Sequence, residues 1–339
     1  MNPAAATAVT IMGSFVASVA ATWVVRGWLE RRRVLDSPND RSSHHQATVT
    51  GGGTAIAAVL IVLWLVLNMT GMGPGAPLLI VVAALCLVGL LDDIRSLTWT
   101  SKLLGQCVVA VYFVASYGGF SRLDLFGVVL DGPWLTVVCS ILWIVAFVNI
   151  YNFMDGIDGL AGGYGALCAC VLGVWFILLG GYNGLSLFLY GLMAACLGFL
   201  VWNWAPARIF LGDAGSMMIG GTLAAASIIG ERRYDVPVSA FILLFAVFIG
   251  DTGYTLARRT LRGEKIWRAH REHLYQRATR SGLGHSSVTV MVLLISMIMC
   301  LPASLEMGRY SPRALWPALS LLVLSSALLL VKRRESRRQ

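Results

Sequence analysis

Carboxylates set beside long apolar runs are costly, so their spacing is informative. The chain has only 17 acidic residues, yet three motifs of this kind recur: LLDDIR (90–95), NFMDGIDG (152–159) and FLGDAGS (210–216). In the second, Asn149, Asn152, Asp155 and Asp158 fall every third residue, which reads as one stripe along a helical turn. Four oxygen-bearing side chains on a stripe suit magnesium or manganese together with a diphosphate. A capped helix start would explain one of these aspartates but not the stripe. Gly156 and Gly159 allow close approach of a ligand or a break in the helix.

Asp92 and Asp93 close another apolar run and would point about 100° apart on a helix. One can serve as ligand or base while its neighbour holds a loop. Carboxylates at a helix C-terminus oppose its dipole and call for a cation; Lys102 could supply it, or contact a phosphate. Asp213, at a helix start, reads as a metal ligand with nearby amides facing phosphate, or as a plain N-cap. Phe210 offers a face for a nucleobase, or an interfacial anchor. His270 and His273 are three apart and would share a helical face, without a cysteine or third clustered ligand for zinc. Among Arg268, Arg271, Arg277 and Arg280 they read as a diphosphate-binding surface. Asp251 is a further site residue or a partner of Arg258 or Arg259. The first polar loop adds Asp36, Asn39, Arg41, Ser42 and His44, then Gly51-Gly52-Gly53, a turn whose amides could meet an anion.

The elements that must position these residues are membrane helices. With 57% hydrophobic and 13% charged residues, the chain is far greasier than a soluble domain at about 25% charged. The expected fold is therefore all-α, a polytopic integral membrane protein in one domain over 1–339. Eleven spans are expected: 5–28, 53–70, 77–91, 103–118, 133–150, 160–179, 185–203, 215–230, 236–256, 287–305 and 314–331. The first lacks a basic leader or cleavage site and reads as a retained helix. The seven cysteines lie in or beside apolar runs and read as small core or lipid-facing residues.

Alternating from a cytoplasmic Arg31-Arg32-Arg33, the inner side receives 21 of the 26 basic residues and the outer side 5. This bias predicts an outside N-terminus and a cytoplasmic tail. The formal +9 is then a topology signal, not a nucleic-acid footprint. All the polar motifs fall on the cytoplasmic face, in loops near 29–52, 92–102, 151–159, 204–214 and 257–286, while the outer loops read as short and unremarkable. One-sided placement favours a catalytic cleft over an ion-coupled transporter, which needs polar groups through the bilayer.

Taken together, these residues resemble the polyprenyl-phosphate N-acetylhexosamine-1-phosphate transferase family. That family includes bacterial undecaprenyl-phosphate GlcNAc-1-phosphate transferases and phospho-MurNAc-pentapeptide translocases. The likeness runs from DSPNDRSSHH to the final His/Arg loop, with DD at 92–93, NFMDGIDG and LGDAGS in family order. It implies transfer of a sugar-1-phosphate from a UDP-N-acetylhexosamine to undecaprenyl phosphate at the bacterial inner membrane, with release of UMP and a need for Mg2+ or Mn2+. By motif, Asp213 resembles the principal metal ligand, with Asp155 beside it. Asp92 resembles the residue that orients or deprotonates the lipid phosphate, next to Asp93. Asn149, Asn152, Asp155 and Asp158 match the nucleotide and diphosphate motif, Phe210 the uracil-stacking position, and His270 and His273 the histidine motif. Lys102, Arg41 and Arg271 join the substrate-binding set. The His-Arg-Glu-His pattern departs from the denser histidine cluster of the translocases. It looks closer to the O-antigen initiating branch, whose donors include UDP-GlcNAc, UDP-FucNAc and UDP-QuiNAc. The family likeness also suggests a homodimer.

Overall fold

The structure, a computed structural model, describes residues 2–36, 47–265, 270–310, 313 and 315–336. Arg41, with Asn39, Ser42 and His44, and Arg268 lie outside the described residues. All eleven apolar runs are helical. They form α1 (Pro3–Arg31), α2 (Gly53–Met69), α3 (Ala76–Arg95), α4 (Trp99–Tyr117), α5 (Pro133–Phe153), α6 (Leu160–Gly180), α7 (Gly184–Asn203) and α8 (Gly212–Tyr234). The ninth run is a pair, α9 (Val238–Leu244) and α10 (Ala246–Leu261), bent by 78°. A short α11 (Leu274–Arg280) precedes α12 (His285–Met307) and α13 (Leu315–Ser336). Local signals set the ends: Thr98 caps α4 by accepting from the Ser101 amide, and Asn183 caps α7 by accepting from Ser186.

Among the described residues, seven helices are long and apolar enough to cross a membrane, or eight if the bent pair is one span. This fits an all-α polytopic membrane protein, with fewer spans by that measure than the eleven expected. The shortfall has physical causes. α2 has only 17 residues, α4 carries Lys102 and Gln106, and α8 is rich in Gly, Ala and Ser and ends in Glu231-Arg232-Arg233. Small residues are what a helix at the centre of a bundle needs. α8 packs on α2, α3, α5, α6 and α9, and nearly every residue from Ala214 to Glu231 is buried.

Helix-to-helix approach is closest beside the acidic motifs. A Cβ on Gly89 of α3 would collide with the Asp213 carbonyl, and one on Gly53 of α2 would strike Gly215 of α8. These glycines let three backbones converge where Asp92, Asp93 and Asp213 sit.

The interhelical loops sort into two ends. One gathers the loops of the polar motifs: Gly52 N–H donates to the Phe210 carbonyl at 2.9 Å, Gly53 N–H to Leu211 at 2.9 Å, and Phe210 N–H to Val49 at 2.8 Å. The amides of Gly52 and Gly53, which in an open turn could meet an anion, are thus used within the protein. Val49 closes a small antiparallel pair, β1 (Leu35–Asp36) with β2 (Thr48–Val49). The other end was expected to be unremarkable, yet it folds tightly. There a hairpin, β3 (Leu123–Leu125) and β4 (Val128–Leu130), joins α4 to α5. Buried Asp124 and Glu306 accept from Arg313, and buried Glu231 accepts from the backbone of Ser121 and Arg122.

Candidate active site

The site is built where α3, α4, α5 and α8 end together. Lys102, one turn into α4, donates to Asp92 Oδ2 at 3.0 Å and to Asp213 Oδ2 at 3.0 Å. The cation that the α3 C-terminus calls for is therefore shared with a carboxylate 111 residues away. Asn152, in the last turn of α5, donates from Nδ2 to Asp213 Oδ1 and to Ser216 Oγ, both at 2.9 Å. Both oxygens of Asp213 are thus fixed.

Asp92 and Asp93 do divide their work. Asp92 Oδ1 accepts from the Leu97 amide at 2.7 Å and holds the α3–α4 turn, while Oδ2 meets Lys102. Asp93 points the other way and accepts the amides of Asp213 (2.9 Å) and Ala214 (3.1 Å). It caps α8 from another helix, at the end where the dipole favours a negative charge. Gly212, at φ +74°, brings the chain into position, since a side chain there would run into Asp93.

The expected stripe is not on one helix. α5 stops at Phe153 and α6 starts at Leu160, so Asn149 and Asn152 are helical while Asp155 and Asp158 lie in the connecting loop. Their partners differ accordingly. Asn149 donates to Gln106 on α4 at 2.6 Å and to its own helix. Asp158 accepts from the Ala207 amide at 3.1 Å and lies 3.3 Å from His285 Nδ1, tying two loops together. Asp155 is half-buried, and no hydrogen bond reaches its carboxylate among the described residues. Burial first, then the charges of Asp213, Asp93 and Asp158, push its pKa well above the usual carboxylate range. Phe210 is half-buried at the loop end, its backbone clamped between Val49 and Gly52.

The histidines sit in a loop, not on a helix, but their rings still stack, with centroids 5.0 Å apart. His273 is buried, 2% exposed, and its Nδ1 lies 3.2 Å from Asp251 Oδ1. His270 is half-buried, and burial, then His273 and Arg259, lower its pKa to about 4. It is therefore neutral at pH 7. Asp251 does not pair with Arg258 or Arg259; Arg259 pairs with Glu264 and Glu272. The arginines expected around the histidines also separate. Arg271 is half-buried between them, whereas Arg277 turns to Glu335 and lines a basic cavity with Arg258, Arg262 and Arg280. A second cavity of about 300 Å³ is apolar and opens beside Asp251 and Tyr275, lined by Val247, Leu274, Val288 and Val292.

Sequence reasoning missed Gln106 and Ser216. Gln106 was legible, as it lies one turn from Lys102 on the same face of α4. Ser216 was hidden inside the third motif as an ordinary small residue.

The donors fit a divalent cation of the magnesium type in kind: they are oxygens only. Among the described residues no three His, Cys, Asp or Glu side chains are close enough to hold a metal by themselves. Magnesium is commonly bound by one or two carboxylates plus substrate phosphates, and the unpartnered Asp155 beside Asp213 matches that arrangement.

A family model described as glycosyl transferase family 4 matches residues 76–231, the stretch that holds all three acidic motifs. The chain is 30% identical over 312 residues to a probable undecaprenyl-phosphate N-acetylglucosaminyl 1-phosphate transferase of Bacillus subtilis, covering 87% of this chain and 84% of the relative. It is 30% identical to a decaprenyl-phosphate N-acetylglucosaminephosphotransferase of Mycolicibacterium smegmatis, covering 80% of this chain and 76% of the relative. A phospho-N-acetylmuramoyl-pentapeptide-transferase of Listeria welshimeri is 27% identical, over 65% of this chain and 72% of the relative. With its motifs in family order, the chain belongs to glycosyl transferase family 4, the polyprenyl-phosphate N-acetylhexosamine-1-phosphate transferases.

Proposed function

We propose that the protein transfers an N-acetylhexosamine-1-phosphate from a UDP-sugar to undecaprenyl phosphate and releases UMP. The observation that carries this is a charge imbalance. Among the described residues Asp155 has no hydrogen-bond or ion-pair partner beside the Asp92–Lys102–Asp213 bridge, at the loop end of a membrane bundle. Such a site calls for a cation and for an anionic ligand that brings its own. The reaction brings two anions together, a lipid phosphate and a nucleotide diphosphate. Asp213 and Asp155 would hold magnesium, or manganese in its place, and its charge offsets that of the diphosphate.

The chain's own residues do the rest. The second pKa of a phosphate monoester is about 6, so the acceptor is mostly ionised at neutral pH, and Asp92 orients it through Lys102 in place of deprotonating it. An acceptor oxygen attacks the sugar-linked phosphorus, the phosphoanhydride bond breaks, and UMP leaves. Direct attack is favoured over a covalent Asp–phosphosugar intermediate: Lys102 holds Asp92 and Asp213, two amides hold Asp93, and Asp155 is assigned to the cation. Neutral His270 meets the donor by hydrogen bonding and Arg271 by charge. Asn152 fixes Asp213, Phe210 stacks on uracil, and the apolar cavity beside Tyr275 takes the start of the lipid chain.

The reading extends to eleven membrane crossings, an active site on the cytoplasmic face of the bacterial inner membrane, an outside N-terminus, and the first step of O-antigen or related surface-glycan synthesis. Pairing of two copies rests on the family likeness alone. A panel of UDP-GlcNAc, UDP-FucNAc, UDP-QuiNAc and UDP-MurNAc-pentapeptide, each assayed for UMP with undecaprenyl phosphate and magnesium, tests the function. UMP from one of the first three is expected. UMP from the pentapeptide donor alone would move the protein to the translocase branch; none from any donor, with solute uptake in vesicles, would make it a transporter.

A further inference from the structure

Of the two stacked histidines, one is buried and one is not, and the buried one rests on a carboxylate outside the three acidic motifs. Asp251 lies in α10 and is 6% exposed. Its Oδ1 accepts from the Leu274 amide at 2.8 Å, from Thr255 Oγ1 at 3.2 Å and from His273 Nδ1 at 3.2 Å, and its Oδ2 accepts from the Tyr275 amide at 3.1 Å. A carboxylate engaged by three other donors can only accept, so Nδ1 carries a hydrogen toward it. The two amides belong to the first residues of α11, so Asp251 fixes the direction in which that helix leaves the histidine loop.

The chain of contacts continues toward the site. Tyr275 Oη donates to the Phe153 carbonyl at 2.9 Å, and a Cβ on Gly156 would strike that same hydroxyl. The loop that carries Asp155 is thus pinned to the residue whose amide Asp251 holds. His273 in turn stacks on His270, and its ring centroid lies 6.0 Å from that of Phe153.

We infer that Asp251 is a positioning residue that sets the histidine loop and the Asp155 loop relative to each other through His273 Nδ1 and Tyr275, and that His270 alone of the two histidines touches the donor. The inference rests on the transferase reading and sharpens it, since His273 becomes a support for the site instead of a ligand contact.

Amide replacements separate the two roles of His273. Asparagine places its Nδ2 where the imidazole has Nδ1, and glutamine places its Nε2 where the imidazole has Nε2. In the purified full-length enzyme, His273→Asn is expected to retain most of the UMP release. His273→Gln and His273→Leu are expected to lose about 10–100-fold, as removal of a supporting partner does. Asp251→Ala should lose a similar factor, with a raised KM for the UDP-sugar, and combining it with His273→Leu should add little. Thermal melts accompany each variant, and the Asn/Gln pair decides the matter even if Asp251→Ala does not fold. Equal losses in His273→Asn and His273→Gln, or activity kept by Gln and lost by Asn, would overturn the inference. Absence of UMP from the unmodified protein would instead remove the transferase reading beneath it.

Discussion

At the residue scale the adjacent aspartates separate structure from chemistry. Asp93 accepts two amides at the start of α8, whereas Asp92 and Asp213 share one ammonium. Removing an N-cap costs about 0.5–2 kcal/mol, so Asp93→Ala should lower the melting temperature in detergent and also disturb turnover, because Asp213 is the residue being capped. Lys102→Met should leave the melt nearly unchanged, since one of the two freed carboxylates can take up a proton. UMP release should nevertheless fall by about 10²–10³-fold, the scale for losing a preorganised electrostatic contact. A lower melting temperature with full activity in Lys102→Met would make the lysine a strut, not part of the site.

At the element scale the question is how two helix ends with opposite dipoles are brought so close. α3 presents its C-terminus and α8 its N-terminus, and Gly89 packs directly on the Asp213 carbonyl. Gly89→Ala inserts a methyl group where no atom can give way. It should cost about 1–3 kcal/mol of overpacking and lower kcat more than it raises KM, because the Lys102 bridge spans that contact. Melting and steady-state UMP release check both; unchanged turnover would mean that α3 and α8 need not touch for the site to work. This contact also marks what could be read in advance. Long apolar runs marked the membrane helices, though not the short α11 or the break between α9 and α10, and charge beside those runs pointed to Asp92, Asp155 and Asp213, because burial cost acts on local sequence. The bend at Phe245, the short α11 and the loop setting of His270 were not legible. They depend on tertiary contacts, α11 for instance on Tyr275 against Gly156, over a hundred residues away. Asp251 was visible as a charge, but its four donors became evident only when α10 and α11 met.

At the scale of the whole molecule the charges distribute in a way that total counts conceal. The end assigned to the outside holds Arg122, Arg232, Arg233, Arg309 and Arg313, and also Asp124, Asp131, Glu231, Asp235 and Glu306. Five arginines stand against five acids, so the whole formal +9 falls at the end that carries the site. The pairing is physical: Arg122 and Arg309 meet Asp235, and Arg313 meets Asp124 and Glu306. The topology rule counts Lys and Arg alone, 21 against 5, and the acids at this end act as ion-pair partners, Asp124 and Glu306 buried and Asp235 exposed. In a cysteine-free background, Asp131→Cys sits beside the β3–β4 hairpin and Ser96→Cys sits in the α3–α4 turn next to Asp92. A membrane-impermeant maleimide should label the cysteine at 131 in intact spheroplasts, and the one at 96 only after the membrane is opened. The reverse pattern would place the Lys102 bridge outside, away from any cytoplasmic nucleotide sugar, and the proposed reaction would lose its donor.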